Sequence, residues 1–178
     1  MHSESVLQVD TQLAVSFPGA LPQVEESSNR SLTTDDLAVK FSRIRQEIPE
    51  GSQIKFRIVL EGRPQPLHPL IREHAYQIGR EALLNAFRHA EASQIELCLE
   101  TTPTGLRIVV RDNGKGISAE LLHVGCNGLS WIKKLAEGIG AKLKLLSRAT
   151  AGTEVLLYIP GQIAFAPPTG LGRIFDAA

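Results

Sequence analysis

The sequence predicts an α+β fold: a two-layer sandwich in which helices cover one face of a mixed, largely antiparallel sheet. Two observations carry this. Five segments alternate apolar and polar residues with period two, and three others space their apolar residues by three and four. Strands that alternate so cleanly have one covered face and one more exposed, so the helices must lie on the apolar side.

In chain order, residues 1–30 mix Ser, Pro, Gly and Asn without sustained periodicity and read as an unstructured tail. The domain then runs over 31–163. Thr33 or Thr34 caps a helix to about Glu47, with Leu37, Phe41 and Ile44 on one face. Pro49, Glu50 and Gly51 end it. Ile54, Phe56, Ile58 and Leu60 alternate with Lys55 and Arg57 as a strand, and Gly62 to Pro66 make a turn.

A long helix is expected from about His68 to Ala90. Ile71, Ala75, Ile78, Ala82, Ala86 and Ala90 form its stripe, and Pro69 is tolerated in its first turn. Two strands follow, one with Ile95, Leu97 and Leu99 inward and one with Leu106, Ile108 and Val110 inward. A hairpin loop joins them from Thr101 to Gly105. Gly128 to Gly138 reads as a helix with Leu129, Ile132, Leu135 and Ala136 inward. Two last strands carry Leu143 and Leu145, then Val155, Leu157 and Ile159. The stretch from Gly161, with Pro167, Pro168 and more glycines, reads as a second tail, and 164–178 are placed outside the domain.

The bulk numbers narrow the class. The chain has 178 residues, 43% apolar and 21% charged, which fits one globular domain with tails. Its formal net charge is zero, so no global field favours nucleic acid or an anionic membrane surface. Cys98 and Cys126 stand in no zinc-type spacing and make no disulfide framework, which suits a reducing, cytoplasmic setting. No apolar run approaches the roughly 18 residues of a membrane span, and Met1 to Val15 lack the pattern of a signal peptide. No membrane contact by this chain itself is expected.

Four features in order carry chemistry. The first is Glu81-x-x-x-Asn85 on the long helix. Four residues overshoot a helical turn by about 40°, so Glu81, Asn85 and His89 form one edge beside the apolar stripe. A carboxylate there can orient or deprotonate a nucleophile, and an amide oxygen is a hard ligand suited to Mg²⁺. A solvated helix edge has the same spacing. The second is Asp112-Asn113-Gly114-Lys115-Gly116-Ile117 after a strand. An ionised Asp only accepts hydrogen bonds, so it can take an exocyclic amine proton of adenine, and glycines let backbone pass close to a flat base. An Asp-Asn-Gly hairpin turn reads the same way.

The third is Gly125-Cys126-Asn127-Gly128 before a helix, where free N–H groups bind phosphate. A glycine-rich connector is the alternative. The fourth is Gly152-Thr153, whose hydroxyl can reach a base directly or through water. The alternative is an ordinary entry to a strand.

In order and spacing these motifs resemble the histidine-kinase-type ATPases. That family includes histidine kinases, gyrase, a heat-shock chaperone and the MutL repair proteins, and its ATP-binding fold is called the Bergerat fold. Glu81 and Asn85 match the N box. Asp112, Gly114 and Gly116 match the first glycine box, Gly125 and Gly128 the second, and Thr153 the terminal Gly-Thr. The run Arg80-Glu-Ala-Leu-Leu-Asn-Ala-Phe-Arg-His-Ala90 is similar to the nitrate-sensor-like branch, including large sensor kinases with a propeller and a triple-tyrosine region. So are Arg111 to Ile117 and Gly128-Leu129-Ser130. The resemblance covers roughly residues 34–165.

The resemblance implies ATP and Mg²⁺ as ligands, with Asn85 holding the metal and Asp112 reading adenine. Gly114, Gly116 and Ile117 would lie against the base. Gly125, Gly128 and Leu129 would form the closing lid, and Arg88 and His89 would sit near the phosphates. Thr153 would assist the base, and Glu81 would be the positioning or basic group of catalysis. It also implies a cytoplasmic kinase domain, free or as the cytoplasmic part of a membrane-bound sensor. Its partners would be a histidine phosphotransfer or dimerisation domain and a response regulator.

The sequence also departs from the family. The second glycine box often reads Gly-His-x-Gly, and here Cys126 stands at the His position. The lid from Ser118 to Asn127 is short, and Trp131 stands where a small residue is usual. None of His2, His68, His74, His89 or His123 is followed by an acidic residue on a dimerising helix, so the chain is expected to lack its own phosphoacceptor.

Overall fold

The computed structural model describes residues 5–7, 32–48, 53–117, 127–147 and 151–166. Its sheet holds the strands β1 (Ser5–Leu7), β2 (Lys55–Gly62), β3 (Gln94–Thr102), β4 (Gly105–Asp112), β5 (Lys142–Ser147) and β6 (Thr153–Pro160). They lie side by side in the order β1-β2-β3-β4-β6-β5. Only β2 and β3 run parallel, and the other neighbours run antiparallel. A parallel pair needs a crossover, and the long helix α2 (Pro69–His89) supplies it.

Alternation decides which face is covered. Ile58, Ile95, Leu97, Leu99, Leu106, Ile108, Val110, Leu157 and Ile159 point to the helices and are buried. On the other face Arg57 and Arg111 pair with Glu96, and Arg111 also reaches Glu154 at 2.6 Å. The carboxylates raise the Arg111 guanidinium above its usual range. Beneath this ladder the thiol of Cys98 is buried, and burial pushes its pKa up to about 11.

The helices α1 (Thr34–Ser42), α2 and α3 (Asn127–Gly138) form the covering layer. Helix α1 begins as expected. Thr33 donates its backbone N–H and its hydroxyl to Asp36 Oδ2, at 2.7 and 3.0 Å, and Asp35 and Asp36 complement the helix dipole. It ends earlier than expected. From Arg43 to Glu47 the chain tightens into a 3₁₀ turn, which still buries Ile44. Along α2 the stripe Ile71, Ala75, Ile78, Ala82, Ala86 and Ala90 is buried as expected. Gly79, Leu83 and Phe87 are buried as well: Gly79 faces α1, and Phe87 meets Phe56 of β2 edge to face, with ring centroids 5.4 Å apart. A Cβ on Gly79 would lie 2.6 Å from the ring of Phe41, so α1 packs closely only on a bare backbone.

The reading of a tail from Gly161 needs correction as far as Ala166. Gly161–Ala164 forms a short helix, α4. His68 donates its N–H to Ala164 O at 2.9 Å, and Ala166 donates to Pro66 O at 3.0 Å. Ala164 is fully buried, and Ile163 and Phe165 pack against the core. Glycine and proline masked these apolar residues, too few to show a period. Residues 167–178 lie outside the described part. Within the range read as the first tail, Ser5–Leu7 pairs with Ile58 to Leu60, a run too short to register as periodic. Among the described residues no helix is long and apolar enough to cross a membrane.

Candidate functional site

The β-ladder brings two distant motifs together. Asp112 ends β4, Thr153 begins β6, and they face each other in register although 41 residues apart. Thr153 donates its N–H to Asp112 Oδ1 at 3.2 Å, and Gly114 donates to the same oxygen at 2.9 Å. The backbone thus fixes one carboxylate oxygen, and Oδ2 has no such partner among the described residues. Gly152 has φ +82°, and a Cβ there would lie 1.9 Å from Asp112 O, so this approach requires glycine.

Asn113 explains why Asp-Asn-Gly is no hairpin turn here. Its Oδ1 accepts the N–H groups of Ser93 and Gln94 at 3.0 and 2.9 Å, and its Nδ2 donates to Ser93 Oγ at 2.9 Å. The loop after β4 is stitched to the start of β3. Gly114 completes this stitching, since a Cβ on it would lie 2.0 Å from Ala90 O at the end of α2.

Beside this wall opens a cavity of about 550 Å³. Its lining includes Glu81, Asn85, Arg88 and His89 from α2, Asp112, Gly116 and Ile117 from β4 and its loop, Gly128 and Leu129 from α3, and Thr153. Gly116 turns the loop there with φ +75°. Asn85 Nδ2 donates to Glu81 Oε1 over a long 3.4 Å, as two residues on one helix edge can. A Cβ on Gly128 would lie 2.2 Å from Glu81 Oε1, so α3 starts directly against this carboxylate.

Ten of the twelve sequence-chosen residues therefore line one cavity. Gly114 does not line it and instead seats the loop on α2. Gly125 lies outside the described residues. Sequence reasoning missed the apolar floor, Ala82, Ala86, Val110 and Val155. Their periodicity is that of the core, and nothing distinguishes a residue under a ligand from one under a helix. It also missed Lys115, which lines the cavity while bonded to Glu91 at 2.6 Å. The charged lining is two carboxylates, Glu81 and Asp112, and two fixed cations, Arg88 and Lys115, with His89 beside them. Such a mixture suits a ligand with a neutral polar end and an anionic end.

The model of the histidine kinase-, DNA gyrase B- and HSP90-like ATPases matches residues 71–163, which span the cavity-lining residues. The chain belongs to this family. Among curated relatives, the sensor histidine kinase LiaS of Bacillus subtilis is 33% identical over 90 residues, 51% of this chain and 25% of that protein. The nitrate/nitrite sensor protein NarX of Escherichia coli is 27% identical over 150 residues, 84% of this chain and 22% of that protein. The chain thus spans about a quarter of the length of these relatives. Among solved structures, the histidine kinase domain of the blue-light activated kinase EL346 of Erythrobacter litoralis aligns with a TM-score of 0.59 and 26% identity. The alignment covers 71% of this chain and 59% of that one. The expected α+β fold and the resemblance to histidine-kinase-type ATPases are both borne out.

Proposed function

We propose that this cavity binds ATP with Mg²⁺, and that the chain is the catalytic domain of a two-component sensor histidine kinase. The observation behind this reading is the placement of the backbone-held Asp112–Thr153 pair and the Glu81–Asn85 edge on one cavity. Its volume of about 550 Å³ lies in the range of small-molecule sites, roughly 300–1,000 Å³.

Asp112 Oδ2 accepts the amino group of the base, and Thr153 places its hydroxyl beside it. Gly116 and Ile117 lie along the base plane. Arg88 and His89, at the end of α2, face the phosphates. The residues present fit a divalent cation. Glu81 lies against the first turn of α3, where N–H groups attract phosphate. A carboxylate and a phosphate repel each other unless a cation stands between them, and Asn85 adds a hard oxygen beside Glu81. Mg²⁺ would supply neutralisation of charge on the transferring phosphoryl group.

The reaction is transfer of the γ-phosphoryl to a histidine outside this site, releasing ADP. The acceptor must stand in line at near-attack distance. His89 lies on the helix that forms the cavity wall and is poorly placed for that attack. His74 Nδ1 contacts Leu70 O at 2.7 Å, and neither His74 nor His68 lines the cavity. The partners are then a dimerisation or histidine phosphotransfer domain and a response regulator, with the cytoplasm as the working compartment.

The test is incubation with γ-labelled ATP, with and without a dimerisation domain from a related kinase. The chain alone should bind ATP in calorimetry and take up little or no label. The added domain should gain an acid-labile, alkali-stable label. Failure to bind ATP rejects the reading. Binding without transfer replaces it with a nucleotide-binding module that does not turn over. The departures at Cys126 and in the lid favour that second reading if transfer is absent.

A further inference from the structure

Behind the Asp112–Thr153 wall stands a hydroxyl that belongs to none of the four motifs and does not itself line the cavity. Ser147 is the last residue of β5 and pairs with Thr153 across the ladder. Its Oγ accepts the N–H of Ile117 at 2.7 Å. It also lies 3.2 Å from Thr153 Oγ1 and 3.3 Å from Gly152 O. One side chain on β5 therefore touches both the loop after β4 and the start of β6, the two segments that flank Asp112.

A hydroxyl has one proton and two lone pairs. The Ile117 N–H occupies one lone pair of Ser147. Its proton then has two destinations. If Ser147 donates to Thr153 Oγ1, the proton of Thr153 is free to point into the cavity. If Ser147 donates to Gly152 O, Thr153 can donate its own proton to Ser147 and offers the cavity only an acceptor. The 3.2 Å between the two hydroxyls fits donation in either direction, so the two arrangements differ only in where the protons lie. Next to the Thr153 hydroxyl stands Asp112, an acceptor only. The first arrangement gives the wall an acceptor beside a donor. Adenine presents the complement, an amino donor beside a ring-nitrogen acceptor. Guanine presents the reverse, a carbonyl acceptor beside a ring N–H.

We propose that Ser147 is a positioning residue for base choice. It holds the hydroxyl of Thr153 as a donor beside Asp112 and thereby favours adenine over guanine nucleotides. This rests on the nucleotide-binding reading above. Ser147 acts through Thr153 and Ile117 and need not touch the base.

The experiment measures ATP and GTP affinity by competition against a fluorescent ATP analogue, for the wild type, Ser147→Ala, Ser147→Thr, Thr153→Val and the double variant Ser147→Ala/Thr153→Val. A single misplaced hydrogen-bonding group should lower the ATP-to-GTP affinity ratio about threefold or more in Ser147→Ala. Ser147→Thr, which keeps the hydroxyl, should restore it. In the Thr153→Val background, loss of the Ser147 hydroxyl should leave the ratio where Thr153→Val alone puts it. A structural role would weaken both nucleotides equally and leave the ratio unchanged, which overturns the proposal. So does an equal further fall in the double variant. If Ser147→Ala does not fold, Thr153→Val decides, because an unchanged ratio there removes the hydroxyl that Ser147 is said to orient. A wild type that binds no adenine nucleotide overturns the function itself. A wild type that binds ATP while Ser147→Ala keeps its ratio overturns only the role of Ser147.

Discussion

The two ends of the cavity are built differently. At the end proposed for the base, Asp112 Oδ1 takes two backbone N–H groups and Asn113 makes three side-chain bonds to the start of β3. Gly114 and Gly152 bring backbone into contact with Ala90 and Asp112. At the end proposed for the phosphates, Glu81 and Asn85 share one bond of 3.4 Å. Arg88 and His89 are exposed and make no ion pair among the described residues. One end is a wall already in place. The other is a set of side chains left open toward the cavity. On the nucleotide-binding reading proposed above, specificity is thus prepaid in the fold, whereas charge neutralisation waits for the nucleotide.

This contrast is broken most directly at Asp112. In Asp112→Asn the Oδ1 position can still serve Gly114 and Thr153, but the cavity side then presents an amide donor to the amino group of the base. A lost hydrogen bond to a charged group costs about 1.5–3 kcal/mol, so ATP and ADP should both bind at least about tenfold more weakly in calorimetry. The melting temperature should change little, since the backbone donors retain an acceptor. Unchanged affinity in folded protein would remove Asp112 from base recognition. The base end would then be a structural joint only.

The sequence made the fold legible because its period-2 and three-four spacings agree with local geometry from α1 to β6. It made the polar site legible because Asp112 and Thr153 break the alternation at strand ends, and Glu81 and Asn85 recur at one helical step beside the apolar stripe of α2. What stayed hidden follows from the same logic. Val110 and Val155 obey the core pattern, so their position under the cavity leaves no mark. Ser147 ends a strand as serines commonly do, and only the register with Thr153 shows what its hydroxyl touches. Gly114 was legible as a glycine that needs to be one, but the contact demanding it is Ala90 of α2, which is 24 residues away in sequence and invisible to a local motif.

At the phosphate end a smaller and conditional effect is expected. Asn85 contributes a hard oxygen beside Glu81, and its loss matters only when a cation is there to be held. Asn85→Ala should weaken ATP binding about fivefold in the presence of Mg²⁺ and by less than about twofold with a chelator. Calorimetry under the two conditions separates the cases. Equal losses would make Asn85 a helix residue that supports Glu81, and the metal would need another ligand.

The smallest effect is expected where the two ends meet. Lys115 lines the cavity and comes from the base-end loop, yet its ammonium is paired with Glu91 at 2.6 Å. Its side chain is 54% exposed and that of Glu91 is 74% exposed, so water screens the pair. The lysine holds the Glu91 carboxyl below its usual range, which makes any contribution to stability one that is lost as pH falls through that lowered value. An exposed cation already provided with a counter-ion gains little by turning to a phosphate. Lys115→Met should therefore change ATP affinity by no more than about twofold at moderate salt, and the change should vanish as salt rises. Adenosine, which has no phosphate, should bind the variant and the wild type alike. A tenfold loss for ATP with adenosine unaffected would show that Lys115 leaves Glu91 for the polyphosphate. The boundary between a preformed base wall and a ligand-completed phosphate end would then run through the Asp112–Ile117 loop itself.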